Sequence, residues 1–154
     1  GKRKERNCVL RKLQQNSLLM KKLIVYIDGT SKGNPGKASI GFIIQDNLGK
    51  ILKQGGACIG TTTCNVAEYI ALITGLIEAF NFSREEVEVR SDSLLLVRQM
   101  QGRYKIKNEW LQKLNFIAGR LVAQYKKLTF VHIARQENKQ ADNLANSYIK
   151  DTLL

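Results

Sequence analysis

Ile24-Val25-Tyr26-Ile27-Asp28-Gly29-Thr30-Ser31-Lys32-Gly33-Asn34-Pro35-Gly36 reads as a strand of apolar and β-branched residues that ends in an acid and breaks into a glycine-rich turn. An acid at the end of a buried strand has few apolar reasons to be there. Three further acids, Glu68, Asp92 and Asp142, each sit beside an expected helix start. Four carboxylates from four segments are the raw material of a divalent-metal site.

Working outward from Leu23–Asp28, the pattern predicts strands over Ala38–Asp46 and Lys50–Ile59, joined by the turn Asp46-Asn47-Leu48-Gly49 as a hairpin or meander. A helix follows over Val66–Phe80, with Val66, Ile70, Ile73, Ile77 and Phe80 as its apolar stripe. Val87–Arg90 reads as a short strand and Asp92–Gln101 as a helix ending near Gly102. A longer helix is expected over Asn108–Tyr125, with Trp110, Leu114, Ile117 and Leu121 spaced three or four apart, which makes Trp110 a core residue. Leu128–Ile133 and Asn138–Ile149 complete the order as strand and helix. The series β-β-β-α-β-α-α-β-α describes a mixed sheet carrying helices.

The chain has 154 residues and 44% hydrophobic composition, which suits one compact domain with a real core. Cys8, Cys58 and Cys64 are odd in number and form no CxxC or Cys/His pattern. They argue against a disulfide framework and a zinc site and fit a cytoplasmic or other reducing intracellular compartment. No apolar stretch approaches the ~20 residues that span a bilayer, so no membrane partner is expected. The net charge is +12; residues 1–22 hold eight Lys/Arg and one acid, and subtraction from totals of 25 and 13 leaves 17 and 12 for the remainder. Such an excess points to a polyanionic partner, with solubility as the plainer reading for the remainder. Residues 1–22 read as a basic N-terminal extension to a domain at 23–154, with Val9, Leu10, Leu13 and Leu18 at roughly helical spacing. Met20-Lys21-Lys22-Leu23 looks like a natural chain start, which makes residues 1–19 an extension or a non-native remnant.

Each acid also has a local reading. Asp28 before glycine is a turn former, Glu68 three residues after Asn65 fits a capping box, Asp92 an N-cap or first-turn acid, and Asp142 a partner of the last helix's dipole. Their sequence contexts add to this. Asp28-Gly29-Thr30-Ser31-Lys32-Gly33-Asn34-Pro35-Gly36, Thr61-Thr62-Thr63-Cys64-Asn65-Val66-Ala67-Glu68-Tyr69, Val89-Arg90-Ser91-Asp92-Ser93 and Arg135-Gln136-Glu137-Asn138-Lys139-Gln140-Ala141-Asp142-Asn143-Leu144-Ala145 resemble, in order and at family-like spacing, the four acidic motifs of the type 1 ribonuclease H family. The resemblance runs from about Leu23 to Ile149.

It implies an α/β ribonuclease H-like fold, a five-stranded mixed sheet flanked by helices, and an endoribonuclease that hydrolyses the RNA strand of RNA–DNA hybrids, leaving a 5′-phosphate and a 3′-hydroxyl. It further implies Asp28, Glu68, Asp92 and Asp142 as ligands of two Mg²⁺ ions, with Mn²⁺ as a substitute. Asp28 would bridge them, Asp142 would lie on the nucleophile side, and Glu68 and Asp92 on the other. Two ions about 3.5–4 Å apart clamp the attacking and leaving oxygens of such a displacement. By the same resemblance Asn34 and Asn65 would meet the minor groove near the RNA strand, Thr63 a DNA phosphate and Ser93 the RNA strand. Each has a bland competitor: a turn residue, an N-cap or a strand-exit residue. The 2′-hydroxyl is what distinguishes RNA from DNA at such contacts.

The chain departs from the family's pattern in several places. Cys64 stands where many members carry Asn, and Leu94 where many carry Gln; both remove amide hydrogen bonds to substrate. The long basic insertion of some members is absent, and Gly102–Asn108 is compact, although Arg103, Lys105 and Lys107 can meet phosphates. His132, the only histidine, lies in the strand-like Thr129–Ala134 rather than in a loop before the last acid. Arg135 occupies that region instead; it cannot act as a base at neutral pH but can hold a phosphate. A monomer without an obligate protein partner is expected. The competing readings are a nucleic-acid-binding module of the same fold that has lost turnover, and another nuclease or integrase of the wider superfamily. Asp28-Gly29-Thr30 lacks the Asp-x-Glu of proofreading exonucleases, and integrases seldom carry the Gly33–Gly36 turn.

Overall fold

The computed structural model describes residues 1–19 and 22–151. Met20 and Lys21, at the expected chain start, lie outside them, as do residues 152–154 and the side chain of Leu18. A basic helix, α1 (Lys2–Leu19), precedes β1 (Lys22–Gly33), β2 (Gly36–Asp46) and β3 (Ile51–Thr62). Then come α2 (Cys64–Ala79), β4 (Glu86–Ser91), α3 (Leu94–Met100), α4 (Glu109–Val122), β5 (Lys127–His132), a 3₁₀ turn (Arg135–Asn138) and α5 (Lys139–Asp151). No helix among the described residues is long and apolar enough to cross a membrane.

The five strands form one sheet in the order β3-β2-β1-β4-β5. β1, β2 and β3 pair antiparallel, whereas β4 runs parallel to β1 and β5 parallel to β4. Two-residue alternation along β1 sends Val25, Ile27 and Gly29 to one face and Tyr26 and Asp28 to the other. The first face meets α2 and the second meets α5. Leu23, Val25, Ile27, Leu72, Leu76, Val87 and Val89 are fully buried between sheet and helix.

Glycines allow both helices to come close. A Cβ on Gly29 would lie 2.3 Å from the main chain of Ala67 in α2, and one on Gly41 would lie 2.7 Å from the carbonyl oxygen of Ala141 in α5. Gly41 pairs with Asp28 across β1 and β2, so the α5 face beside the acid is kept free of side chain. Ser39, fully buried in β2, donates its hydroxyl to the Ala145 carbonyl and fastens α5 further.

Several expectations are corrected. β1 does not end at Asp28; it continues to Gly33, because β2 pairs with it along its full length. On α2 the buried residues include Ala67, Tyr69, Ala71, Leu72, Leu76 and Ala79, while Ile77 is exposed. Small residues at four-residue intervals let this helix lie close to the sheet, and α4 covers its other side, so size rather than hydrophobicity chooses the sheet-facing stripe.

Trp110 is not a core residue: it is 68% exposed, and the Lys113 ammonium sits 5.4 Å from its ring centre. The buried residues of α4 are Leu111 and Ala118, while Leu114 and Leu121 of the expected stripe pack against the core and Ile117 is exposed. Asn115 donates to the Tyr69 hydroxyl, which holds the helix with Trp110 and Ile117 outward. The expected caps also move. Thr63 rather than Asn65 caps α2, accepting from the Val66 N–H, and Ser93 rather than Asp92 caps α3, accepting from the Leu96 N–H.

Gly29→Ala is expected to destabilise the fold by about 1–3 kcal/mol, the usual range for forcing atoms into a filled contact. Gly119→Ala, where nothing lies within 4 Å, should leave stability unchanged or raise it by about 0.5–1 kcal/mol. Urea denaturation midpoints check both; equal midpoints for Gly29→Ala and the parent chain would contradict the close approach of α2.

Candidate active site

The main-chain hydrogen bonding of β1 builds the site. Pairing with β4 stops at Tyr26↔Arg90, while β1 runs on to Gly33. Beyond that point the groups of β1 on the β4 side have no strand to pair with, and buried main-chain polar groups require partners. The Ile27 carbonyl accepts from Asn138 Nδ2 at 2.9 Å, and the Gly29 N–H donates to Glu68 Oε2 at 3.2 Å. Asp28 lies between them. The end of β1 therefore draws α2's acid and the 3₁₀ turn into the gap.

Asp92 follows the last residue of β4 and immediately precedes the α3 cap. Oxygens of Asp28, Glu68 and Asp92 lie within 4.8 Å of one another. Asp142, in the first turn of α5, lines the same open cleft of about 370 Å³. It stands outside the tight group of three, held by Asn146 one helical turn away, whose Nδ2 donates to Asp142 Oδ1 at 3.1 Å.

Asp28 and Glu68 are buried, and Asp28 Oδ2 has no hydrogen-bond partner among the described residues. Burial, then the negative charge of Asp92, then the carboxyl of Asp142, push the Asp28 pKa up to about 8; the Arg135 guanidinium pulls the other way. Glu68 is likewise pushed well up by burial, then by Asp28 and Asp92, with only the Gly29 N–H among the opposing influences. Crowded carboxylates without a cation are an energetic burden that a divalent ion would relieve. The donor set is all oxygen, two of the three acids are buried, and one buried oxygen is unpartnered. That combination fits a hard cation such as Mg²⁺ or Mn²⁺ and does not fit a thiolate or imidazole metal site.

Of the other expected residues, some line this cleft, whereas Asn34 and Thr63 are not among its lining. Asn65 and Ser93 line it with Cys64 and Arg135. Thr63 and Ser93 use their hydroxyl oxygens as helix caps. Asn34, at the tip of the β1–β2 hairpin, accepts through Oδ1 from the Cys64 N–H at 3.1 Å and ties the tip to the start of α2. Cys64 Sγ also contacts Ser31 Oγ at 2.9 Å. Leu94 opens α3 with its side chain 40% exposed. Arg135 is exposed on the 3₁₀ turn, facing the acids electrostatically. His132 is the last residue of β5, with Nε2 3.3 Å from the Asp92 carbonyl oxygen.

Asn138 has no counterpart among the expected residues. It is almost wholly buried and bridges Ile27 and Asp92, with Nδ2 also 3.3 Å from Asp92 Oδ1. It stands at the expected start of the last helix, four residues before Asp142, where periodicity holds no sign of an inward side chain.

The family model described as Reverse transcriptase-like matches residues 26–148. Ribonuclease HI of Halobacterium salinarum is 36% identical over 126 residues, covering 82% of this chain and 63% of that protein. A bifunctional protein of Mycobacterium tuberculosis is 39% identical over 126 residues, covering 81% of this chain and 35% of its own length. The chain thus spans less than two thirds of both curated relatives. Among solved structures, LC11-RNase H1 in complex with an RNA/DNA hybrid superposes with a TM-score of 0.82 at 44% identity, covering 86% of this chain and 99% of that one. Sequence, sheet order and acidic motifs agree, and the chain belongs to the type 1 ribonuclease H family.

Proposed function

We propose that this chain is a metal-dependent endoribonuclease that hydrolyses the RNA strand of RNA–DNA hybrids, leaving a 5′-phosphate and a 3′-hydroxyl. The observation that carries the reading is the meeting of Asp28, Glu68 and Asp92 oxygens within 4.8 Å in an open cleft. The likeness to LC11-RNase H1, whose structure holds such a hybrid, supports the substrate class.

Asp28, Glu68 and Asp92 would hold divalent ions, with Asp142, which lines the same cleft, as a fourth ligand. Two such ions, when bound, supply positive charge that activates water and steadies the charge developing around phosphorus. The chain's own residues do the rest. Asp28 lies at the centre because β1 fixes its main chain on the β2 side while α2 and the 3₁₀ turn close over its far end. Arg135 offers a guanidinium to a phosphate oxygen and moves no proton. Asn34, Asn65, Thr63 and Ser93 would serve as substrate contacts, Asn65 and Ser93 from the lining of the cleft. The capping bonds of Thr63 and Ser93 hold their hydroxyls in place, which favours recognition by position over adaptable contact. The basic segment at the N-terminus would add phosphate attraction that salt screens. The reading takes the chain to act as a monomer in a reducing intracellular compartment.

The test is cleavage of end-labelled RNA–DNA hybrid with Mg²⁺ or Mn²⁺, beside single-stranded RNA, double-stranded RNA and double-stranded DNA. Internal cuts confined to the RNA strand of the hybrid, and lost in Asp92→Asn with hybrid binding retained, are expected. Binding without cleavage under either metal would make the chain a non-catalytic module, and undiminished cleavage by Asp92→Asn would remove the carboxylate cluster from the chemistry.

The electrostatics make a separate prediction about the metal-free protein. Because the Asp28 pKa is raised to about 8 from 3.8, its contribution to stability is full below the unfolded value and is lost as pH climbs toward the folded one. Asp28→Asn cannot ionise, so in chelator its stability relative to the parent chain should rise between about pH 4 and pH 8, by on the order of a few kcal/mol. Urea melts at both ends of that window measure it; a difference independent of pH would contradict the buried, crowded carboxyl.

A further inference from the structure

We infer that Asn138 is a positioning residue for Asp92, setting the orientation of that carboxylate within the cation site; the inference rests on the metal-site reading above. Asn138 ends the 3₁₀ turn and is 1% exposed. Its Nδ2 donates to the Ile27 carbonyl at 2.9 Å and to Asp92 Oδ1 at 3.3 Å. One amide group thus spans the gap where β1 and β4 part, holding the main chain beside Asp28 and the side chain of Asp92 at a fixed separation.

The other half of the same amide shows that stability alone does not explain it. Asn138 Oδ1 is buried without a partner among the described residues. Leaving such an acceptor unpaired offsets what the bond to the Ile27 carbonyl contributes. An apolar residue would supply no donor to Ile27 and none to Asp92. A neutral N–H adds no charge beside the carboxylate and limits its rotation about the side chain.

The rest of Asp92's surroundings fix its main chain but not its carboxylate. His132 Nε2 lies 3.3 Å from the Asp92 carbonyl oxygen, and the following residue, Ser93, donates its N–H to Ser91 Oγ. Among the described residues, Asn138 is therefore the hydrogen-bond donor to the Asp92 carboxylate. It also joins that carboxylate to the turn that carries Arg135, so the guanidinium and the acids are placed by one short segment. Partners of this kind around metal ligands typically change affinity by about 10–100-fold when removed.

The experiment is titration of Mn²⁺ into the full chain, with free Mn²⁺ read by electron paramagnetic resonance, for the parent, Asn138→Ala, Asn138→Ser and Asp92→Asn. Thermal melts are run on the same samples. The expected result is a folded Asn138→Ala protein whose Mn²⁺ affinity falls by about 10–100-fold. Its kcat on hybrid should fall and recover at raised Mn²⁺, with KM for the hybrid unchanged. If Asn138→Ala does not fold, Asn138→Ser is judged by the same affinity criterion; failure of both to fold would assign Asn138 to the fold and overturn the inference. Parent-like Mn²⁺ affinity in a destabilised variant would overturn it too, while leaving the metal site standing. A parent chain that binds no Mn²⁺ would overturn the metal-site reading and this inference with it.

Discussion

Everything at the site follows from one mismatch of length: β1 runs past the end of its pairing with β4 while β2 stays with it to Gly33. A strand paired on only one side, inside a folded core, has buried main-chain groups to satisfy. In an ordinary sheet another strand would do so. Here a carboxylate and a carboxamide do it, from Glu68 on α2 and Asn138 on the 3₁₀ turn. The interaction that completes the hydrogen bonding of β1 is thus also the one that gathers polar side chains around Asp28.

Close approach makes the gathering possible. Gly29 turns toward α2 and Gly41 toward α5, and neither position has room for a Cβ. The two helices therefore come down on opposite faces of the sheet near Asp28, one carrying Glu68 and the other Asp142. The consequence is electrostatic. Acids that would be comfortable in solvent are pressed together, and both Asp28 and Glu68 resist ionisation. A chain with a net charge of +12 has cations to spare, yet it places only Arg135 against this cluster among the influences on Asp28. The acids are better suited to a cation brought from outside than to internal ion pairs.

The sequence made much of this visible, for physical reasons that differ by residue. The strands were legible because β-branched and apolar runs end in glycine-rich turns, and from β1 onward the order of strands and α-helices is the expected one, with the 3₁₀ turn added. The four acids were legible because each stands in a motif whose neighbours, such as Gly29 and Ala67, are the small residues that close packing demands. What failed was facing. On α4, Leu114 and Leu121 of the expected stripe pack against the core, but Trp110 and Ile117 are exposed and Leu111 and Ala118 are buried in their place. On α2, Val66, Ile70, Ile73 and Phe80 pack against the core while Ile77 is exposed, and the fully buried positions include the small Ala67, Ala71 and Ala79 that apolar bulk passes over. Asn138 was illegible because a buried bridge between two distant segments leaves no local periodic trace.

The central claim is that the parting of β1 from β4 creates a divalent-cation site. Anomalous diffraction from a crystal of the full chain grown with Mn²⁺ tests it most directly. The account predicts an anomalous peak bound by Asp28 together with Glu68 or Asp92. A well-ordered crystal in which the cleft shows no such peak, or in which Mn²⁺ binds only elsewhere, would contradict it.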